Sequence, residues 1–136
     1  MPRKVLIVDD EPHMLRVTEL SLKKGGYGLV IGRNGREAIE LATREKPDLI
    51  VMDVNMPELD GLAALKQLKA SPDTASIPVI MLTVRGHALT RQQAEASGSA
   101  VFLTKPFSPT QLLGEVRRIL GEDLPATPAA VPPPQP

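Results

Sequence analysis

The sequence contains no cysteine and no tryptophan, and its aromatic residues are one tyrosine and two phenylalanines. Without cysteine the chain can form neither disulfides nor cysteine metal sites, and thiol catalysis is excluded. With so few rings, the core has to be built from aliphatic side chains. Sixteen Lys and Arg balance sixteen Asp and Glu, so the formal net charge is zero. That balance gives no reason to expect direct contact with nucleic acid or with an anionic membrane.

Long apolar runs are also missing near the start of the chain. The first run, Val5–Val8, is much shorter than a signal h-region or a membrane span, and two acids follow it. We therefore expect a cytoplasmic protein. The 136 residues are enough for one domain. From residue 121 onward the composition becomes rich in Pro and Ala, so we predict a globular domain over 1–120 and a flexible tail or truncated linker over 121–136.

Five short apolar runs alternate with segments whose apolar residues have helical spacing. Runs that are rich in Val and Ile and lack polar alternation are typical of strands buried on both faces. Five alternations of strand and helix predict an α/β fold with a parallel sheet and right-handed crossovers. The predicted strands are Val5–Val8, Leu29–Ile31, Leu49–Met52, Val79–Leu82 and Ala100–Leu103.

Helix ends are marked by local signals. The first helix is predicted to begin at Pro12 and to stop at Gly25-Gly26, and the third follows Asp60-Gly61. Two N-caps are expected, Asn34 with Glu37 for the second helix and Ser108 with Pro109 and Gln111 for the fifth. Pro47 should end the second helix, and Gly121 should end the fifth. The fourth, residues 88–96, is weakly patterned because Leu89 is its only large aliphatic residue.

Polar residues of particular kinds stand at the ends of four predicted strands. Asp9 and Asp10 follow the first, Asp53 follows the third, Thr83 ends the fourth and Lys105 follows the fifth. Sites in open parallel sheets form beyond the carboxyl ends of the strands, where the strand order reverses. An order of 2-1-3-4-5 would place these four strands together and leave the second at the edge. Taken singly, each has an ordinary structural reading: a helix cap for Asp9 and Asp10, a turn residue for Asp53, a strand residue for Thr83 and a solvated loop charge for Lys105.

The charges of this set indicate its chemistry. Three carboxylates and one ammonium leave about two negative charges, which a hard divalent cation such as Mg²⁺ would neutralise. A carboxylate can attack phosphorus and form an acyl phosphate, provided that positive charge stabilises the transferring group. A Thr hydroxyl can donate a hydrogen bond to a phosphoryl oxygen. The sequence therefore predicts a Mg²⁺-dependent phosphoryl-accepting site formed by Asp53, Thr83 and Lys105.

Four motifs in this order resemble the receiver domains of two-component response regulators. They are Asp9-Asp10-Glu11-Pro12 after Val5–Val8, the segment 51–61 around Asp53, the segment 78–83 that ends in Thr83, and Lys105-Pro106-Phe107. The resemblance implies a flavodoxin-like (βα)5 three-layer sandwich with a sheet of order 2-1-3-4-5. It also implies a signalling switch, with at most self-phosphorylation and slow autodephosphorylation as its own catalysis.

The resemblance assigns a role to each site residue. Asp53 would accept a phosphoryl group from a histidine kinase or a phosphotransfer protein. Mg²⁺ would be bound by Asp10, Asp53 and the backbone carbonyl of Asn55, with Asp9 helping directly or through water. Thr83 would contact the phosphoryl group and Lys105 would pair with it.

The same resemblance predicts how the signal leaves the site. Thr83 and Phe102 would switch on activation, and the signalling surface would comprise the fourth helix, the fifth strand and the fifth helix. The recipient would be a downstream effector protein or an output domain absent from this chain. A cis bond before Pro106 is also implied.

Two positions depart from the family pattern, and two more flank the pocket. Val84 replaces the usual Ala and could narrow access to the phosphoryl site. Phe102 replaces the common Tyr, so switching there would depend on packing without a hydroxyl. Asn55 and Arg85 are expected to modulate the lifetime of the phosphate.

Two other functions are compatible with parts of this pattern. A haloacid-dehalogenase-like phosphatase also uses an Asp nucleophile with Mg²⁺ and Lys, but its D-x-D motif normally follows the first strand, whereas Asp53 follows the third. An interaction module that has lost phosphorylation is the second alternative. The intact acidic set argues against it.

Overall fold

A computed structural model describes residues 3–54, 61–84, 101–105 and 108–121. Five strands and four helices lie in these ranges, and strand and helix alternate as predicted from β1 to β4. The strands are β1 (Lys4–Val8), β2 (Gly28–Gly32), β3 (Leu49–Asp53), β4 (Val79–Val84) and β5 (Val101–Lys105). The helices are α1 (Pro12–Lys23), α2 (Gly35–Glu45), α3 (Gly61–Ala70) and a C-terminal helix (Pro109–Leu120).

The five strands form one parallel sheet of order β2-β1-β3-β4-β5. The chain goes from β1 to the edge strand β2, returns to β3 beside β1, and then continues outward. The order therefore reverses between β1 and β3, which is where α/β sheets place their sites. This confirms the predicted fold class and strand order.

Alternate residues of each strand face opposite sides of the sheet and build two core clusters. Leu6, Ile50 and Met52 face the side covered by α2 and α3. Val5 and Leu49 face the other side, where α1 and the C-terminal helix pack. Each layer of helices thus covers one face of the sheet, giving the three layers that the sequence predicts.

Local signals end the helices largely where they were expected. The Asn34 side chain accepts a hydrogen bond from the Glu37 amide at 2.9 Å, and Ser108 Oγ accepts one from the Gln111 amide at 3.0 Å. In a capping box Glu37 would bind the Asn34 amide. Its carboxylate instead accepts a hydrogen bond from the Arg33 amide at 2.9 Å, one residue before the N-cap. Gly121 ends the C-terminal helix at a φ of 74°.

The observed strands differ from the predicted runs at their ends. β4 continues through Thr83 to Val84, and β5 includes Lys105, because main-chain pairing extends beyond the apolar residues. β2 is only half-buried over most of its length, since it has a neighbour on one side alone. The predicted fourth helix, residues 88–96, lies outside the described residues.

Candidate functional site at the carboxyl edge of the sheet

Asp9 and Asp53 end neighbouring strands at the point where the strand order reverses. The register pairs Val8 of β1 with Met52 of β3, so the next residues, Asp9 and Asp53, stand side by side. Both continue the odd-numbered positions of their strands, which face the same side of the sheet. The adjacency predicted from the strand-end rule thus follows directly from the register.

Asp10 completes a cluster of three carboxylates. One carboxylate oxygen from each of Asp9, Asp10 and Asp53 lies within 4.8 Å of the others. Asp9 and Asp53 are buried, with 2% and 5% of their surface exposed, whereas Asp10 is exposed. The cluster therefore has two buried members and one member open to solvent.

Two hydrogen bonds to neighbouring main-chain groups hold Asp9, one at its amide and one at its carboxylate. Its amide donates to the carbonyl of Gly32 at 3.2 Å, which continues the pairing of β1 with β2. Its Oδ1 accepts a hydrogen bond from the Glu11 amide at 3.0 Å, immediately before α1 begins. One oxygen of this carboxylate thus pairs with a main-chain amide at the start of α1, where the amides have no partner within the helix.

The donor set fits a hard divalent cation. Mg²⁺ binds oxygen ligands at about 2.0–2.1 Å and typically takes one or two carboxylates together with water. Oxygens within 4.8 Å of one another can share such an ion with a small adjustment or through water. Three carboxylates this close repel one another, and a bound cation would remove that repulsion.

The remaining predicted residues are located through the backbone. Asp53 pairs with Leu82, Thr83 with Thr104, and Val84 with Lys105, so all of these strand ends meet at one edge of the sheet. Phe102 pairs with Met81, one register step before Leu82 and Leu103. Asn55, Arg85 and Pro106 lie outside the described residues.

Gly61 is a residue of this site to which the sequence interpretation gave no role beyond starting a helix. Its amide donates to the Val54 carbonyl at 2.8 Å, and the Val54 amide donates to the Leu82 carbonyl at 2.8 Å. Gly61 therefore lies against the chain where it leaves Asp53. The only local signal in the sequence was the Asp60-Gly61 pair, which predicts a turn and not a close approach to Asp53.

No helix of the described ranges is long and apolar enough to cross a membrane.

A doubly wound five-stranded domain with acidic residues at the reversal point belongs to the flavodoxin-like class, in which this edge of the sheet carries the site. Residues 5–117 match the family model described as "response regulator receiver domain", and the chain belongs to this family. Such domains are switches in two-component signalling, which confirms the predicted resemblance.

Curated relatives and solved structures agree with this assignment. The alkaline phosphatase synthesis transcriptional regulatory protein PhoP of Bacillus subtilis is 35% identical over 96% of this chain and 53% of its own length. The chemotaxis protein CheY4 of Vibrio cholerae has a TM-score of 0.82 at 32% identity, over 88% of this chain and 99% of its own.

A second similar structure is informative about metal binding. The receiver domain of the sensor histidine kinase PA1611 of Pseudomonas aeruginosa has a TM-score of 0.83 at 30% identity, over 90% of this chain and all of its own. That structure has a magnesium ion coordinated in its active-site cleft.

The chain spans about half the length of the curated relatives it matches, so it corresponds to one part of those proteins.

Proposed function

We propose that Asp53 accepts a phosphoryl group from a histidine kinase or a phosphotransfer protein, in a reaction that requires Mg²⁺. The observation that carries the proposal is the cluster of Asp9, Asp10 and Asp53 at the reversal point of the sheet. Asp53 is the member of this cluster at the centre of the sheet, between β1, which Asp9 follows, and β4, which contains Thr83.

Transfer to Asp53 breaks one bond and forms one. A carboxylate oxygen of Asp53 attacks phosphorus, the P–N bond of the donor phosphohistidine breaks, and its electron pair stays on the imidazole. The obstacle is charge, because an anionic nucleophile approaches an anionic phosphoryl group. Mg²⁺ would supply the positive charge that offsets this repulsion. Asp10, Asp53 and the Asn55 carbonyl are its proposed ligands, with Asp9 direct or through water.

Lys105 and Thr83 have complementary proposed roles. The Lys105 ammonium would pair with the phosphoryl oxygens, and the Thr83 hydroxyl would donate a hydrogen bond to one of them. Thr83 lies in β4, next to the strand of Asp53, and Lys105 lies in β5, next to β4, so both strands end at the same edge of the sheet. Val84, Asn55 and Arg85 are proposed to tune how fast the acyl phosphate forms and hydrolyses.

The phosphorylation signal is proposed to reach the surface formed by β5 and its neighbouring helices. Phosphorylation would draw Thr83 inward, and Phe102 would follow by repacking, so that the population of two surface conformations shifts. The PhoP relative is named as a transcriptional regulatory protein and is about twice as long as the matched part. An output domain beyond this chain, or a separate effector, is therefore the proposed recipient. The cytoplasmic location also stays a prediction.

Intact-mass analysis after acid quenching tests the proposal directly. The wild-type protein, incubated with acetyl phosphate and Mg²⁺, should gain one phosphoryl group. The gain should disappear without Mg²⁺ and in Asp53→Ala. Asp73→Ala, which removes an exposed carboxylate far along the chain from the cluster, is the matched control and should gain phosphate normally.

Other outcomes would favour the alternative functions. A gain that survives Asp53→Ala would place the acceptor elsewhere. No gain under any condition, with a partner still bound, would favour an interaction module that has lost phosphorylation. Steady turnover of a phosphomonoester would support the phosphatase alternative, which family membership disfavours.

A further inference from the structure

Gly61 lies unusually close to the backbone that carries Asp53. A Cβ built on Gly61 would fall 2.9 Å from Val54 Cα and 3.0 Å from Met81 Cε, and closer still to the carbonyl oxygen of Asp53. Real Cβ atoms essentially never approach another heavy atom to less than 3.0 Å. The Met81 methyl can rotate away, but a carbonyl oxygen and a Cα move only if the main chain moves. Any side chain at position 61 therefore has to displace Asp53 or α3.

Gly61 also makes a hydrogen bond to the residue that directly follows β3. Gly61 donates its amide to the Val54 carbonyl at 2.8 Å, and Val54 donates its own amide to Leu82 of β4 at 2.8 Å. Val54, the residue after Asp53, is thus held by hydrogen bonds to both α3 and β4. Asn55, the proposed carbonyl ligand of Mg²⁺, comes directly after this peptide.

We propose that Gly61 is a positioning residue of the phosphoryl-accepting site, which sets the backbone of Asp53 and Val54 and thereby the geometry of the metal ligands. This inference rests on the proposed function. Gly61 acts through two properties, its lack of a Cβ and its amide donor. Its φ is not in the left-handed region, so the requirement is for space and a hydrogen bond rather than for backbone freedom.

The first test compares glycine substitutions at three positions. Gly61→Ala should lower Mg²⁺ affinity by about tenfold or more, the usual cost of losing a residue that orients metal ligands. Gly25→Ala is a steric control away from the site, because its Cβ would lie 2.7 Å from Leu113 Cδ1 and 2.8 Å from Tyr27 Cε2, which are side-chain rather than main-chain atoms. It should lose stability and keep its Mg²⁺ affinity. Gly114→Ala, with nothing within 4 Å of its Cβ, should keep its Mg²⁺ affinity and gain stability, because Ala is favoured over Gly within a helix.

Three measurements separate positioning from folding. Amide shifts in ¹H–¹⁵N spectra titrated with Mg²⁺ report affinity in the absence of any phosphodonor, thermal unfolding reports stability, and intact mass reports phosphorylation. If Gly61→Ala resembles Gly25→Ala, losing stability with Mg²⁺ affinity unchanged, the residue is merely structural and the inference is wrong. If the wild type itself neither binds Mg²⁺ nor gains phosphate, the proposed function fails instead.

A second variant decides the matter if Gly61→Ala does not fold. Replacing Gly61 by glycolic acid turns its amide into an ester, which removes the hydrogen bond to Val54 and adds no Cβ. Weaker Mg²⁺ binding by the folded ester variant would support the inference. Wild-type affinity in that variant would overturn it.

Discussion

Asp9 and Asp10 are adjacent in the sequence but lie in different environments. Asp9 is buried, and its Oδ1 accepts the Glu11 amide, so part of its hydrogen-bonding capacity serves the start of α1. Asp10 is exposed yet has an oxygen within 4.8 Å of those of Asp9 and Asp53. Asp10 can therefore be neutralised with less structural damage than Asp9, which makes it the better probe of the cluster's charge.

Asp10→Asn should stabilise the metal-free protein and abolish most of the stabilisation that Mg²⁺ gives the wild type. Removing one of three close carboxylates relieves two repulsions of about 1 kcal/mol each, the value for two unit charges about 4 Å apart in water. In the wild type, Mg²⁺ at one hundred times its dissociation constant should add about 2.7 kcal/mol. Thermal unfolding with and without Mg²⁺ measures both effects.

Asp73→Asn is the control for a change of one charge, since Asp73 is exposed and remote in sequence from the cluster. It should retain the full Mg²⁺ response. An equally large Mg²⁺ response in Asp10→Asn would contradict the assignment of Asp10 as a ligand.

At the scale of secondary-structure elements, Lys69 joins α3 to the segment that enters β4. Its Nζ donates to the carbonyls of Ala75 at 3.0 Å and Ile77 at 2.8 Å. Thr74, also buried in this segment, donates its hydroxyl to the Leu68 carbonyl at 2.7 Å. Burial lowers the pKa of Lys69 below its usual 10.5. The connection between the two elements thus depends on the partly buried Lys69 amine together with the Thr74 hydroxyl.

Lys69→Met should destabilise the protein by about 1–3 kcal/mol, because two carbonyls lose their donor. The pH dependence follows from the lowered pKa, since the folded state binds fewer protons than the unfolded state between the two pKa values. Wild-type stability relative to Lys69→Met should therefore increase as pH rises toward 10.5, where the neutral amine still donates. Urea unfolding of both proteins between pH 7 and 10.5 measures this difference. A difference that shrinks with rising pH would contradict the interpretation.

At the scale of the whole molecule, both core clusters are built from residues that precede Gly121. The last described members of the cluster beneath α1 are Leu112 and Val116, with Ile119 and Leu120 packed against it. Gly121 then ends the C-terminal helix. The described core thus includes the C-terminal helix as far as Leu120.

Deleting residues 122–136 should leave stability unchanged to within about 0.5 kcal/mol, as expected for changes outside a packed core. Thermal unfolding of the truncated and full chains, each with and without Mg²⁺, measures this. A clear loss of stability would show that the domain extends beyond residue 120. Deletion of residues 117–136, which removes Ile119 and Leu120 as well, is the comparison that should destabilise strongly.

Local patterns in the sequence were enough to predict the helices and strands and to predict that the acidic residues lie together. Strands were predicted because apolar runs recur, and helix ends because caps such as Asn34 and Ser108 act within a few residues of themselves. The cluster followed from one general rule about strand ends, and the register of β1 with β3 confirms its geometry. The roles of Thr83 and Lys105 stay predictions, although their strands end where those roles require.

Tertiary structure decided how the elements meet, because those contacts join residues distant in sequence. Whether an aspartate is buried like Asp9 or exposed like Asp10 depends on the neighbouring strand and helix, which no local pattern records. The half-buried state of β2 follows from its place at the edge of the sheet. The close approach of Gly61 to Asp53 depends on how α3 packs against β3 and β4. The sequence by itself thus determined which groups the site contains, and the packing of helices on the sheet determined how they are held.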